Sequence, residues 1–178
     1  MRSTKWILLL GVSCLVVVCG TALALADTTV EVKDVHLCCK NCVKSVGKAL
    51  NGIESVKPKC DQDAGTITIT AKDDATVQKA LDALAEAGFH GSTGNPKLAI
   101  KETTDVPPGK VKSLTLTGLH NCCGACTKAI KSTLKGVSGV SSDTAKPKAS
   151  TFTVNGDFDA AAVVKALSDA GYHVKIQK

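Results

Sequence analysis

The sequence predicts an α+β protein, made of two tandem ferredoxin-like β-α-β-β-α-β units placed after a signal peptide. Three observations carry that prediction. The phrase His36-Leu37-Cys38-Cys39-Lys40-Asn41-Cys42 returns 84 positions later as His120-Asn121-Cys122-Cys123-Gly124-Ala125-Cys126. Around each copy the hydropathy pattern alternates between the strand period and the helix period in the same order. The chain opens on a basic start followed by a short apolar run.

The opening comes first in the chain. Met1-Arg2-Ser3-Thr4-Lys5 precedes an apolar stretch from Trp6 to Gly20, and Ala24-Leu25-Ala26 closes it. That is the layout of a secretory signal peptide, with cleavage expected after Ala26. The alternative is an uncleaved anchor, for which the run is short against the ~20 residues of a bilayer span. With residues 1–26 removed, no second long apolar run is left. The mature chain is then expected to be exported, periplasmic or extracellular, and not held in a membrane.

In the first unit, Val30 and Val32 alternate with polar neighbours, as a half-buried strand requires. The cysteine phrase follows, and then Val43, Val46 and Leu50 share a helix face that Gly52 ends. After Ile53–Val56 leads into a second strand, Thr66-Ile67-Thr68-Ile69-Thr70 reads as a third. Asp73 and Asp74 offer N-caps to a helix whose buried stripe is Val77, Ala80, Leu81 and Leu84. The second unit repeats this with Leu114 and Leu116, Ile130 and Leu134, Gly136, Thr151–Val154, Asp157 and Asp159, and Val163, Val164 and Leu167. Both units close on Ala-Gly-aromatic-His: Ala87-Gly88-Phe89-His90 and Ala170-Gly171-Tyr172-His173. A short last strand follows, clearest at His173–Ile176. Such an order predicts a split βαβ sheet with two helices on one face. The expected limits are 27–97 and 110–178, with 98–109 as a linker through Pro107-Pro108-Gly109.

Charge and composition narrow the function. Residues 27–97 carry nine Lys against ten acids, whereas 110–178 carry ten Lys against four, so the second unit is the basic one. The aromatics after residue 26 are Phe89, Phe152, Phe158 and Tyr172, too few for a base-stacking surface, and no dense basic cluster exists; nucleic acid is not an expected partner. No triad, carboxylate pair or nucleotide loop is present, so no enzyme activity is expected. Nine cysteines become seven after cleavage, an odd number that leaves at least one thiol unpaired. Export favours disulfides, and a C-x-x-C pair suits either a disulfide or a metal thiolate.

The repeated phrase gathers six of those cysteines at two strand-to-helix junctions. Cys42 and Cys126 fall in a first helical turn, where free N–H groups and the positive dipole end stabilise a thiolate. Thiolates select soft cations such as Cu(I) and Zn(II) over hard ones.

With these residues on the page, the duplicated unit resembles the heavy-metal-associated domain, a family that includes copper chaperones, the amino-terminal modules of copper-transporting ATPases and periplasmic mercury-binding proteins. The resemblance spans nearly all of the chain outside leader and linker. It implies Cys39 with Cys42, and Cys123 with Cys126, as metal ligand pairs, and Phe89 and Tyr172 as aromatics beside the metal loop. The family loop usually runs Gly-Met-Thr/Ser-Cys-x-x-Cys. In this chain His36 and His120 stand for the Gly, Leu37 and Asn121 for the Met, and Cys38 and Cys122 for the hydroxyl residue. Cys38, Cys122, His36 and His120 thereby become additional candidate ligands, a set that Zn(II) would accept in tetrahedral form, while two or three thiolates suit Cu(I); Hg(II) is the third candidate. Leu37 can plug the core beneath its loop, and Asn121 is ill suited to do so.

The reading is an exported protein that sequesters a thiophilic ion or hands it to a metal-transporting or metal-accepting partner by ligand exchange. Two independent ions or one clamped between facing loops fit equally. The competing readings are a thiol–disulfide oxidoreductase cycling its two C-x-x-C pairs, and an interaction module stapled by disulfides. His90 and His173 are expected to turn away from the thiols, and Cys60 to be a plain strand residue.

Overall fold

A computed structural model describes residues 27–177; the signal peptide expected at 1–26 lies outside the described residues. In chain order the elements are β1 (Thr28–Val32), α1 (Lys40–Leu50), β2 (Lys57–Asp61), β3 (Thr66–Ala71), α2 (Asp74–Glu86), β4 (Lys110–Thr117), α3 (Gly124–Lys135), β5 (Val140–Asp143), β6 (Phe152–Asp159), α4 (Ala160–Asp169) and β7 (Lys175–Ile176). The fold is α+β, with two antiparallel sheets ordered β1-β3-β2 and β5-β6-β4-β7.

Period-two alternation builds both sheets. In β3 the residues Ile67, Ile69 and Ala71 point inward, with threonines between them. On the outer faces those threonines pair across strands: Thr29 with Thr70 at 2.9 Å, Thr115 with Thr153 at 3.1 Å and Thr117 with Thr151 at 2.7 Å. The inner faces bury Val30, Val32, Ile67 and Ile69 under Val46, Leu50, Leu81 and Leu84, and Leu114, Leu116, Phe152 and Val154 under Ile130, Leu134, Val163 and Leu167. Truncating any of these leucines to alanine would cost roughly 2–5 kcal/mol, transfer plus cavity. Asp73 caps α2 by accepting from the Thr76 N–H at 2.7 Å, and Asp159 caps α4 by accepting from Ala162 at 3.0 Å.

The two units differ at their last strand. The second pairs β7 with β4 through Leu116 and Thr117. In the first, the corresponding chain makes a single bridge between Lys33 and Ser92. His90-Gly91-Ser92 has no apolar residue to bury on the sheet, so pairing stops after one residue. Leu98 and Ile100, assigned from the sequence to the linker, are buried in the first core without forming a strand.

The units also dock on one another, reciprocally. Phe89 and Tyr172 form an antiparallel bridge; the His90 N–H donates to the Gly171 carbonyl and the His173 N–H to the Gly88 carbonyl, both at 3.1 Å. Each Ala-Gly-aromatic-His segment therefore lies against the cysteine loop of the other unit. Gly88 (φ +83°) sits on Gly118–His120, and Gly171 (φ +84°) on Asp34–His36. At either position a Cβ would overlap the opposing backbone, so both the left-handed conformation and the close approach require glycine.

Candidate metal centre

The docking carries the two cysteine loops into contact. Cys39 and Cys123 occupy the N-cap positions of α1 and α3 in extended conformation, one residue before each helix. Cys42 and Cys126 follow in the first turn and are fully buried, whereas Cys38, Cys39, Cys122 and Cys123 are half-buried. Within each loop, Cys38 Sγ lies 3.7 Å from Cys42, Cys39 3.7 Å from Cys42, Cys122 3.7 Å from Cys126 and Cys123 3.8 Å from Cys126. Across the interface, Cys38 approaches Cys126 at 3.4 Å and Cys123 at 4.0 Å, Cys122 approaches Cys39 and Cys42 at 3.7 Å each, and Cys42 meets Cys126 at 4.0 Å. The six sulfurs form one body, half from each unit.

These spacings match a metal–thiolate centre. Four thiolates at the ~2.3 Å of a zinc–sulfur bond in tetrahedral array stand about 3.8 Å apart. All six are free thiols, at separations well beyond the ~2.05 Å of a disulfide bond.

The histidines complete the wall. The His36 ring stacks on Tyr172 of the other unit with centroids 4.6 Å apart, and His120 stacks on Phe89 at 4.4 Å. A ring nitrogen of His120 lies within 4.8 Å of the sulfurs of Cys42, Cys122 and Cys126, and one of His36 within 4.8 Å of Cys38 and Cys126. Nε2 of both histidines is buried without a hydrogen-bond partner. Burial pushes the His120 imidazole below its ordinary value, favouring the neutral form that can bind a cation. The aromatic beside each metal loop, implied by the family resemblance, thus comes from the opposite unit.

Electrostatics within the cluster is shared. The Cys42 S–H holds the Cys126 thiol down to about 2, assisted by His36 and Cys38; the resulting Cys126 thiolate, with burial, pushes Cys42 upward. The helix-start expectation of a lowered thiol therefore fails at Cys42, because the anion already sits 4.0 Å away on Cys126. Burial and Cys126 likewise raise Cys122 to about 12. The outermost departure is Cys39, lowered to about 7 by the backbone N–H groups of Cys42 and Asn41. A soft cation entering here displaces protons from the remaining thiols, so its binding is pH-dependent.

Leu37 is buried beneath its loop. Asn121, at the matching place, is also buried and fully used: its Nδ2 donates to the carbonyls of Lys146 at 2.7 Å and Ala149 at 3.0 Å, and its Oδ1 accepts from Thr127 at 2.8 Å. The amide ties the second loop to the Lys146–Ala149 turn instead of filling the core. His90 and His173 face each other on the docking surface with rings nearly parallel, centroids 6.0 Å apart. Cys60 lies on β2 opposite Ile67, outside the cluster. The residues 36, 38, 39, 42, 120, 122, 123 and 126 singled out from sequence are thus brought together in one place. What sequence reasoning missed was that Gly88, Phe89, Gly171 and Tyr172 each serve the loop of the opposite unit, a role with no local signature.

A family model described as the heavy-metal-associated domain matches residues 119–173. This segment is similar to the heavy-metal-associated family. It includes His120 and the thiols Cys122, Cys123 and Cys126, and the first unit repeats its element order up to the last strand. The chain is also similar to the N-terminal soluble domains of CopA from Bacillus subtilis, known from a solution structure: 15% identity, TM-score 0.32, covering 85% of this chain and 95% of that one. No curated protein matches the chain. Together, the match to the heavy-metal-associated family and the six adjacent thiols fit the holding of a soft heavy-metal ion.

Proposed function

We propose that this is an exported protein that sequesters a thiophilic metal cargo, Cu(I) before Zn(II) or Hg(II), in one centre shared by its two domains, and passes it to a metal-accepting protein by thiolate exchange. The observation supporting this reading is the set of cross-domain sulfur separations of 3.4–4.0 Å. Six thiols from two loops at those distances offer soft donors in excess of what one ion needs, and thiolate softness favours Cu(I) over hard cations.

Exchange follows from how the centre is exposed. Cys42 and Cys126 form the buried floor, while Cys38, Cys39, Cys122 and Cys123 reach solvent. An incoming thiolate bonds first on that outer side and an outgoing one then leaves, so the cargo is never bare. Cys39 is suited to leave and return, because its thiol near 7 sits close to ambient pH. The test is anaerobic transfer of Cu(I) from the loaded, reduced protein to a small dithiol acceptor. An exchange mechanism gives a rate rising linearly with acceptor concentration; a rate independent of it would mean free dissociation and would refute the proposal.

A further inference from the structure

Resting on the shared-centre reading, we infer that the six thiols hold not one ion but a cluster of four monovalent soft cations, each in the middle of a sulfur triangle and each sulfur bridging two of them. The sulfur arrangement carries this. Cys38, Cys42 and Cys126 form a closed triangle with edges of 3.7, 3.4 and 4.0 Å. Cys39, Cys42 and Cys122 form a second, with all edges 3.7 Å. Cys38, Cys39 and Cys123 lie within 4.8 Å of one another as a third. Cys126 meets Cys122 at 3.7 Å and Cys123 at 3.8 Å, two edges that mark out the fourth. Every one of the six sulfurs belongs to two of these triangles, and any two triangles share one corner. That is an octahedron of sulfur with alternate faces available.

The faces have the size of a trigonal site. A cation centred in a triangle with 3.7 Å edges stands about 2.1 Å from each sulfur, close to the ~2.3 Å of a zinc–thiolate bond. Charge selects the valence. Four monovalent cations on six thiolates leave two negative charges, which the N-terminal ends of α1 and α3 face from both sides, their N-cap residues Cys39 and Cys123 being in the cluster. Three-coordinate faces and soft donors suit Cu(I). Divalent zinc would instead seek a fourth ligand, such as His120 with Cys42, Cys122 and Cys126. The extra cysteines Cys38 and Cys122 are what separates this arrangement from two simple C-x-x-C pairs: each of the four triangles has one of them at a corner.

The experiment is anaerobic titration of the reduced chain, lacking residues 1–26, with Cu(I). It is read by native mass spectrometry and by copper X-ray absorption. The expected result is direct conversion from the metal-free form to a form with four Cu(I), and a copper–copper scattering shell beside three-coordinate sulfur. Saturation at one or two Cu(I), without that shell, would overturn the cluster and leave the shared-centre function standing. Failure to bind Cu(I) at all would overturn both. The variant Cys38→Ser with Cys122→Ser keeps both C-x-x-C pairs, and its capacity should fall to two Cu(I) or fewer with loss of the shell; retention of four would also overturn the assignment.

Discussion

Replacing Gly88 by alanine should open the thiol centre while leaving both domains folded. Gly88 has φ +83°, and a Cβ there would overlap the His120 nitrogen and the Gly118 carbonyl of the opposite loop. An L-residue in that conformation costs about 1–2 kcal/mol. The Gly88 carbonyl also accepts from His120 at 3.2 Å and from His173 at 3.1 Å, and losing the two bonds costs about 1 kcal/mol each. The total of about 3–4 kcal/mol falls on docking rather than on either core, and corresponds to a metal affinity weaker by on the order of several hundred-fold. Competition against a Cu(I)-selective chelator measures it, and small-angle scattering of the metal-free form should show the domains moving apart. Gly47→Ala is the control, since a Cβ there meets nothing within 4 Å. A Gly88→Ala protein that holds Cu(I) within about threefold of the parent chain would refute the reasoning.

Three further outcomes follow from individual groups. Asn121→Ala removes three hydrogen bonds and strands the carbonyls of Lys146 and Ala149; urea unfolding should show a loss of about 2–3 kcal/mol, and a loss under about 1 kcal/mol would contradict the tethering role. Iodoacetamide at neutral pH should modify Cys39 before Cys60 or Cys122 in the metal-free protein, because Cys39 is lowered to about 7 while burial raises the other two; peptide mapping that finds Cys60 or Cys122 first would refute this. His173 is lowered from 6.5 by burial and then by His90 and Lys175, against the opposing Glu102 and Glu86. The unfolded chain therefore takes up that proton first on acidification, so the contribution to stability is fully present above 6.5 and is lost as the pH falls below it. Thermal midpoints over that range should fall more steeply for the parent chain than for His173→Gln, and equal slopes would contradict the assignment.

Much of the fold can be read from sequence because it rests on local periodicity. Thr66–Thr70 alternates strictly, and Asp73 and Asp159 cap the helices that their positions suggest. The departures come from long-range or conditional terms. The last strand of the first unit shrinks to the Lys33–Ser92 bridge because the chain there offers backbone but no apolar side chain. Gly88 and Gly171 read locally as parts of the closing Ala-Gly-aromatic-His motif, yet their larger role is to admit another domain's loop, which no nearby residue announces. The thiols were legible as a set, since two copies of one motif concentrate them. Whether they served two ions or one centre was not, because that depends on docking through Phe89 and Tyr172. Asn121 looked misplaced as a core plug, and only the Lys146–Ala149 turn, far along the chain, explains its burial.

The central claim is that both domains supply one centre. It is tested most directly by Cys39→Ser with Cys42→Ser, titrated anaerobically with Cu(I) under chelator competition. A shared centre predicts that removing these two thiols from the first loop abolishes high-affinity binding for the whole chain. Retention of half the parent capacity at undiminished affinity, carried by Cys123 and Cys126 alone, would show two independent sites and contradict the account.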